Sequence, residues 1–427
     1  MSTHAAARRR DDGSARAAVA EHPFTDMAPA ILTYGYRALS RAFDRYGTDA
    51  FAARLLGRPV VFLRGHQAAR IFYDETRFER SGAVPAPIKR TLFGKGTVHG
   101  LDGPVHRHRK AMFNGLADHE AAVRVADLAD AHWDAAARRW RREGKAVIFD
   151  EAVNVLGEAV CAWADLPAET DRAQRVADLA TIVDGFGSAG PKHLQARFAR
   201  GRATRWARGF IEGARDGRLQ TTFGTPLATV ANHRGLDGDL LDETTAADEL
   251  INLLRPTVAV SWFVSFAALA LYHHPEWRER VASGERGAER AFAHEVRRRF
   301  PFAPMLAARV KSDFGWRGHN FEKGRLVVLD IYATDHDGAT WPRPERFDPE
   351  RFLHREPGRY QLIPQGGGEP ESGHRCPGEP FTMELLGRAA RFLARLDYKV
   401  PPQDLRYSTA SIPTRPRSGF VITEIAP

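Results

Sequence analysis

The sequence predicts a mainly α-helical fold with small β-sheets, and three observations predict it. Between Asp102 and about Asp216, Ala, Arg, Leu and Glu recur at helical spacing, as in Ala121 to Arg142 and Glu169 to Asp184. The run from Thr257 to Tyr272 is apolar on nearly every side, which marks a central helix buried in protein. Short alternating stretches broken by Gly57, Gly318 and Gly324 supply the strands.

In chain order, residues 1 to 20 read as a mobile tail. Arg8, Arg9 and Arg10 followed by Asp11 and Asp12 lack the apolar stretch of a signal peptide. Residues 21 to 427 read as one domain, because no repeat and no Gly/Ser-rich or Pro-rich linker divides them. Pro29 to Tyr46 is expected as a helix and Leu55 to Leu63 as a hairpin about Gly57. Arg309 to Asp330 is expected as short strands and turns, Pro380 to Leu396 as a long helix, and Phe420 to Ile425 as a closing strand. The apolar run from Thr257 to Tyr272 is shorter than the ~20 residues that span a bilayer, so no stable membrane insertion is expected.

A composition of 43% hydrophobic and 27% charged residues is that of a globular protein. The formal charge of +9 is scattered along the chain. No basic stripe interleaved with aromatics supports nucleic acid as a partner. With only Cys161 and Cys376 a disulfide framework is excluded, and a reducing, cytoplasmic setting is expected.

Cys161, between Val160 and Ala162 in a helical run, fits a small buried hydrophobe. Cys376 differs: it follows Gly366-Gly367-Gly368 and Gly373-His374-Arg375, and precedes Pro377-Gly378-Glu379 and the helix beginning near Pro380. A sulfur at a helix start meets free N–H groups and the positive end of the dipole, which favour the thiolate. Such a thiolate is a metal ligand or a nucleophile. Zinc would need further Cys or His at short spacing, and a redox pair would need a second Cys three residues away; neither is present.

At these residues the chain resembles the cytochrome P-450 superfamily, in which a Cys followed two residues later by Gly ligates haem iron. Glu295-Val296-Arg297-Arg298 is similar to the family's E-x-x-R helix, and Pro349-Glu350-Arg351-Phe352 to its downstream arginine motif. The resemblance implies the superfamily's triangular helical fold, with Cys376 as axial ligand and Glu295, Arg298 and Arg351 in a buried ion network behind the Cys loop. It also implies haem b held non-covalently, since no C-x-x-C-H motif occurs.

Two departures point to one branch. A longer run, Ile363 to Ser372, replaces the usual Phe-Gly-x-Gly, and Arg255-Pro256 stands where monooxygenases place an acid and an alcohol. Both resemble the fatty-acid peroxygenases, which use hydrogen peroxide directly and have no obligate redox partner. Arg255 and Pro256 cannot relay protons as an acid–alcohol pair does, but Arg255 can hold a carboxylate in a two-pronged charged hydrogen bond. The competing role for Arg255 is an ion pair with Glu243, Asp248 or Glu249. The same resemblance puts Phe93, His99 and Phe302 in the pocket over the haem and gives His106, Lys110 and His374 to the haem propionates.

The expected activity is oxidation of long-chain fatty acids with hydrogen peroxide, either hydroxylating the α or β carbon or decarboxylating to terminal alkenes. Branch members that mainly decarboxylate carry His at the His99 position, so the resemblance leans toward alkene. A histidine there can donate or accept a proton near neutral pH. The alternatives are a monooxygenase fed by a separate reductase and a haem or fatty-acid binding protein without turnover.

Overall fold

A computed structural model describes residues 19–426. The segment 1–18, most of the expected tail, lies outside the described residues, as does Pro427. The last two residues of that expected tail are structured. Val19 is buried, and Ala20 opens a strand, Ala20–Asp26, paired with Phe51.

That strand is the edge of a six-stranded mixed sheet. Next to it, in order, lie Ala50–Leu55, Arg58–Leu63, Leu326–Asp330, Met305–Val310 and Phe78–Glu79. The hairpin expected about Gly57 is its second and third strands, with Leu55 opposite Arg58. Two-stranded sheets join Val421–Thr423 to Lys145–Val147 and Phe314–Trp316 to His319–Phe321.

The helix expected from Pro29 to Tyr46 is two helices, Ala28–Tyr34 and Arg37–Tyr46. Gly35 breaks it at φ +53°, with its backbone so close to Thr409 that a Cβ would lie 2.2 Å from the Thr409 carbonyl oxygen. Packing, not local propensity, dictates that break.

The spine is the helix Glu243–His273, started by Asp242, whose side chain accepts the Thr245 N–H at 3.0 Å. It is longer than the apolar run within it. By length and composition it could cross a membrane, but its most apolar stretch is 94% buried in protein. Every residue from Ala246 to Leu271 is buried except Pro256. Its first half packs into a core with Val160, Leu179, Ile182 and Ile211. Its second half packs into another with Trp133, Phe292, Leu386 and Leu393. The helix Glu379–Arg395, which follows Cys376, packs against this spine.

Candidate active site

The Cys376 loop is held by backbone bonds that its glycines permit. The Cys376 N–H donates to the Gln365 carbonyl at 2.9 Å, and Gly373 N–H to Glu369 at 3.0 Å. Gly366 sits at φ +89°, and a Cβ there would lie 2.7 Å from the Tyr73 hydroxyl. The long Gly-rich run therefore makes room for the Tyr73 ring. Ile363 N–H at the run's start donates to Asp335 Oδ1 at 2.9 Å.

Behind the loop, Arg298 forks onto Glu295 at 2.7 and 2.8 Å, both side chains fully buried. Arg298 also donates to the Asp335 carbonyl at 3.0 Å and the Pro344 carbonyl at 2.9 Å, while Arg351 Nε lies 3.8 Å from Glu295. The structure thus brings Glu295, Arg298 and Arg351 together. Sequence reasoning missed Glu379, which accepts from Arg297 at 2.7 Å and Arg375 at 2.6 Å and so ties the same helix to the Cys loop.

Cys376 retains accessible surface although protein crowds it, and burial pushes its thiol up against the pull of Lys110, the Gly378 N–H and Arg255. The helix start alone is therefore outweighed by desolvation, and a bound metal is what would keep the thiolate. Cys161 is fully buried, its thiol pushed up to about 12.

His99 repeats the pattern. It is exposed to open space, yet desolvation and the charges of Arg255, Lys110, His374 and Arg200 hold its pKa well below the ordinary histidine value. That shift favours the neutral ring, which donates one hydrogen bond and accepts another. Its ring stacks on Phe93, centroids 4.0 Å apart. The Phe302 ring lies 5.3 Å from that of Phe263, and its carbonyl accepts from the Tyr36 hydroxyl.

Arg255 is buried, its pKa lowered to about 9 by desolvation and by Arg200. Among the described residues its Nε has no hydrogen-bond partner. The three carboxylates that could have neutralised it are engaged elsewhere: Glu243 with Arg208 at 2.6 Å, Asp248 with Arg200 at 2.5 Å, Glu249 with Arg109 at 2.8 Å. Pro256 removes the N–H that would bond the Asn252 carbonyl, and the Thr257 hydroxyl is spent on Leu253 at 3.2 Å.

On the opposite side of the Cys loop, His106 stacks on His374 at 3.9 Å and Lys110 donates to the Arg375 carbonyl. Burial lowers His106 to about 3 and Lys110 to about 8. His374 lies 3.5 Å from Asp102, which also accepts the Arg80 and Ser81 N–H groups at 2.7 and 2.8 Å; neither Asp102 nor Arg80 was expected from sequence. His106 Nδ1 is buried with no hydrogen-bond partner among the described residues. A sulfur that keeps accessible surface before a helix, with the buried His106 Nδ1 and the Lys110 cation beside its loop, fits a haem that Cys376 would hold.

Residues 290–421 match the family model described as Cytochrome P450. A substituted form of cytochrome P450SP alpha superposes with a TM-score of 0.91 at 44% identity, over 94% of this chain and 99% of that one. Cytochrome P450EX alpha, solved with myristic acid, does so at 0.91 and 38% identity over 96% and 99%. The OleT cytochrome P-450, solved with arachidonic acid, gives 0.92 at 32% over 96% and 99%. A curated relative from Mycobacterium tuberculosis, cytochrome P-450 137, is 25% identical over 86% of this chain and 80% of its own length. The Cys loop, the buried Glu295–Arg298 pair behind it and these likenesses over nearly the whole chain agree: the protein belongs to the cytochrome P-450 family.

Proposed function

We propose that the protein is a haem-thiolate peroxygenase that oxidises long-chain fatty acids with hydrogen peroxide, hydroxylating them at the α or β carbon or decarboxylating them to terminal alkenes. The observation that carries this reading is Arg255, a buried cation on the central helix that no carboxylate pairs with among the described residues.

A bound haem supplies peroxide activation and oxidation of a carbon–hydrogen bond, with Cys376 as the electron-donating ligand. Arg255 binds the acid's carboxylate with a charge-assisted pair of hydrogen bonds in a site whose low dielectric strengthens them. Because Pro256 and the committed Thr257 offer no proton relay, the acid–base group at the site is the substrate's own carboxylate, held at Arg255. Phe93, His99 and Phe302 wall the carbons next to that carboxylate. Pinning one end leaves the α and β carbons nearest the oxidant, so regioselectivity follows from position. Each tail methylene buried contributes ~0.8 kcal/mol, which favours long acids over short ones.

The complexes of two relatives with myristic and arachidonic acids support the substrate class. The test is incubation with peroxide and a long-chain acid in the absence of any reductase. Turnover supports the peroxygenase; turnover only with NADH, ferredoxin and reductase would mean a monooxygenase, and binding without turnover a carrier.

A further inference from the structure

We propose that Asp248 and Glu249 are positioning residues that fasten the loop bearing Phe93 and His99 to the central helix, and so set which carbon of an acid held on Arg255 is oxidised. The substrate in this proposal rests on the fatty-acid reading; the fastening rests on geometry alone.

Asp248, Asn252 and Arg255 stand at i, i+4 and i+7 of the central helix and share a face. The segment from Leu92 to Val98 lies against the central helix, its backbone groups bound by that helix or by Arg200, which Asp248 holds. Asp248 Oδ2 accepts the Lys95 N–H at 3.0 Å, and Glu249 Oε1 accepts the Val98 N–H at 2.8 Å. The Phe93 carbonyl accepts from Asn252 at 3.0 Å and from Arg200 at 3.2 Å, and the Leu92 carbonyl from Arg200 at 3.3 Å.

Both carboxylates are themselves braced. Asp248 Oδ1 holds Arg200 at 2.5 Å and accepts from Thr204 at 2.9 Å, both on the overlying helix Pro191–Arg215. Glu249 holds Arg109, on the helix Gly103–Leu116 that carries His106 and Lys110, and accepts from Asn252 at 3.2 Å. Each acid therefore joins the loop and the central helix to a third element.

The approach depends on glycine. Gly94 has φ +94°, and a Cβ there would lie 2.1 Å from Asp248 Oδ2 and 2.5 Å from Arg200 Nη2. The cluster also explains why Arg255 stays free. Arg109 and Arg200 neutralise Glu249 and Asp248, so of the three arginines Arg109, Arg200 and Arg255 it is Arg255 that, among the described residues, is left for a carboxylate from outside. Loosening the loop leaves this anchor intact but frees the Phe93 and His99 walls. Selectivity should suffer more than binding.

The test combines amide hydrogen exchange with product analysis on the holoenzyme, using palmitic acid and peroxide. Asp248→Ala is expected to speed exchange of the Lys95 N–H, and Glu249→Ala that of Val98, each by about tenfold or more. Both should spread oxidation beyond the α and β carbons while KM for the acid changes less than the product distribution. Gly94→Ala, which keeps both carboxylates, should give the same two effects, and so guards against an alanine variant that fails to fold. Glu243→Gln, in the first turn of the same helix and paired with Arg208 at the surface, should match the parent in both. Parental exchange at Lys95 and Val98 in the folded variants overturns the fastening; faster exchange with a parental product distribution overturns the role in selectivity. A parent that oxidises no fatty acid removes the substrate reading and the selectivity with it, while the exchange rates still decide the fastening.

Discussion

The Arg255 guanidinium carbon lies 5.6 Å from the centre of the Phe93 ring, and among the described residues no carboxylate pairs with it. A cation over an aromatic face is partly stabilised there, but by far less than its desolvation costs. Arg255→Leu should therefore be at least as stable as the parent in thermal unfolding without substrate. Its affinity for a long-chain acid should fall by about two to three orders of magnitude, as expected for a lost buried charge pair. Spectral titration with the acid, beside a melting curve, reads both; parental affinity in the variant refutes the anchor.

Cys376 and Cys161 should separate cleanly. Cys376→Ser is expected to lose the red-shifted carbon monoxide band of the reduced protein, and Cys161→Ser to keep it, because Cys161 is packed in an apolar core while Cys376 keeps accessible surface before its helix. An unchanged band in Cys376→Ser refutes haem ligation by this residue.

His99 is held neutral by burial and by the cations around it. On the proposed reading, its neutral ring offers one donor and one acceptor beside the carboxylate, where glutamine offers a different geometry. His99→Gln should shift product from terminal alkene toward hydroxy acid, and in the parent the ratio should stay flat between about pH 6 and 8. Gas chromatography of both products checks this; an unchanged ratio in the variant takes His99 out of the branching step.

Stability toward acid has a sign that His336 exposes. Burial lowers its pKa from 6.5 to about 3, so below 6.5 the unfolded chain takes up a proton the native protein refuses. Its stability contribution is complete above 6.5 and is lost as pH falls toward 3. Asp330, pushed up to about 7 by burial, acts in the opposite direction and is unchanged by substitution at 336. His336→Asn should therefore flatten the decline of melting temperature between those pH values by up to about one proton's worth. Parallel curves for parent and variant refute it.

What was legible in the sequence was chemistry carried by neighbours in the chain: Cys376 before a helix, Glu295 and Arg298 one turn apart, Arg255 beside Pro256. What was not legible depends on distant segments. The break at Gly35 is forced by Thr409, and the Gly-rich run before Cys376 is shaped by Tyr73. The Asp102–His374 contact joins residues far apart in the chain. Asp248 and Glu249 were read as rivals for Arg255 because they are close in sequence; their true partners, Arg200 and Arg109, come from other helices. The charge state of His99 depends on cations that sequence spacing does not reveal.

The most direct test of a carboxylate-anchored oxidation compares palmitic acid with its methyl ester, under peroxide and without reductase. The two share a tail and differ in the one group that Arg255 is proposed to hold. The acid should give α- and β-hydroxy acids and terminal alkene, and the ester almost no product. Oxidation of the ester at a comparable rate, or of the acid at carbons remote from the carboxylate, would contradict it.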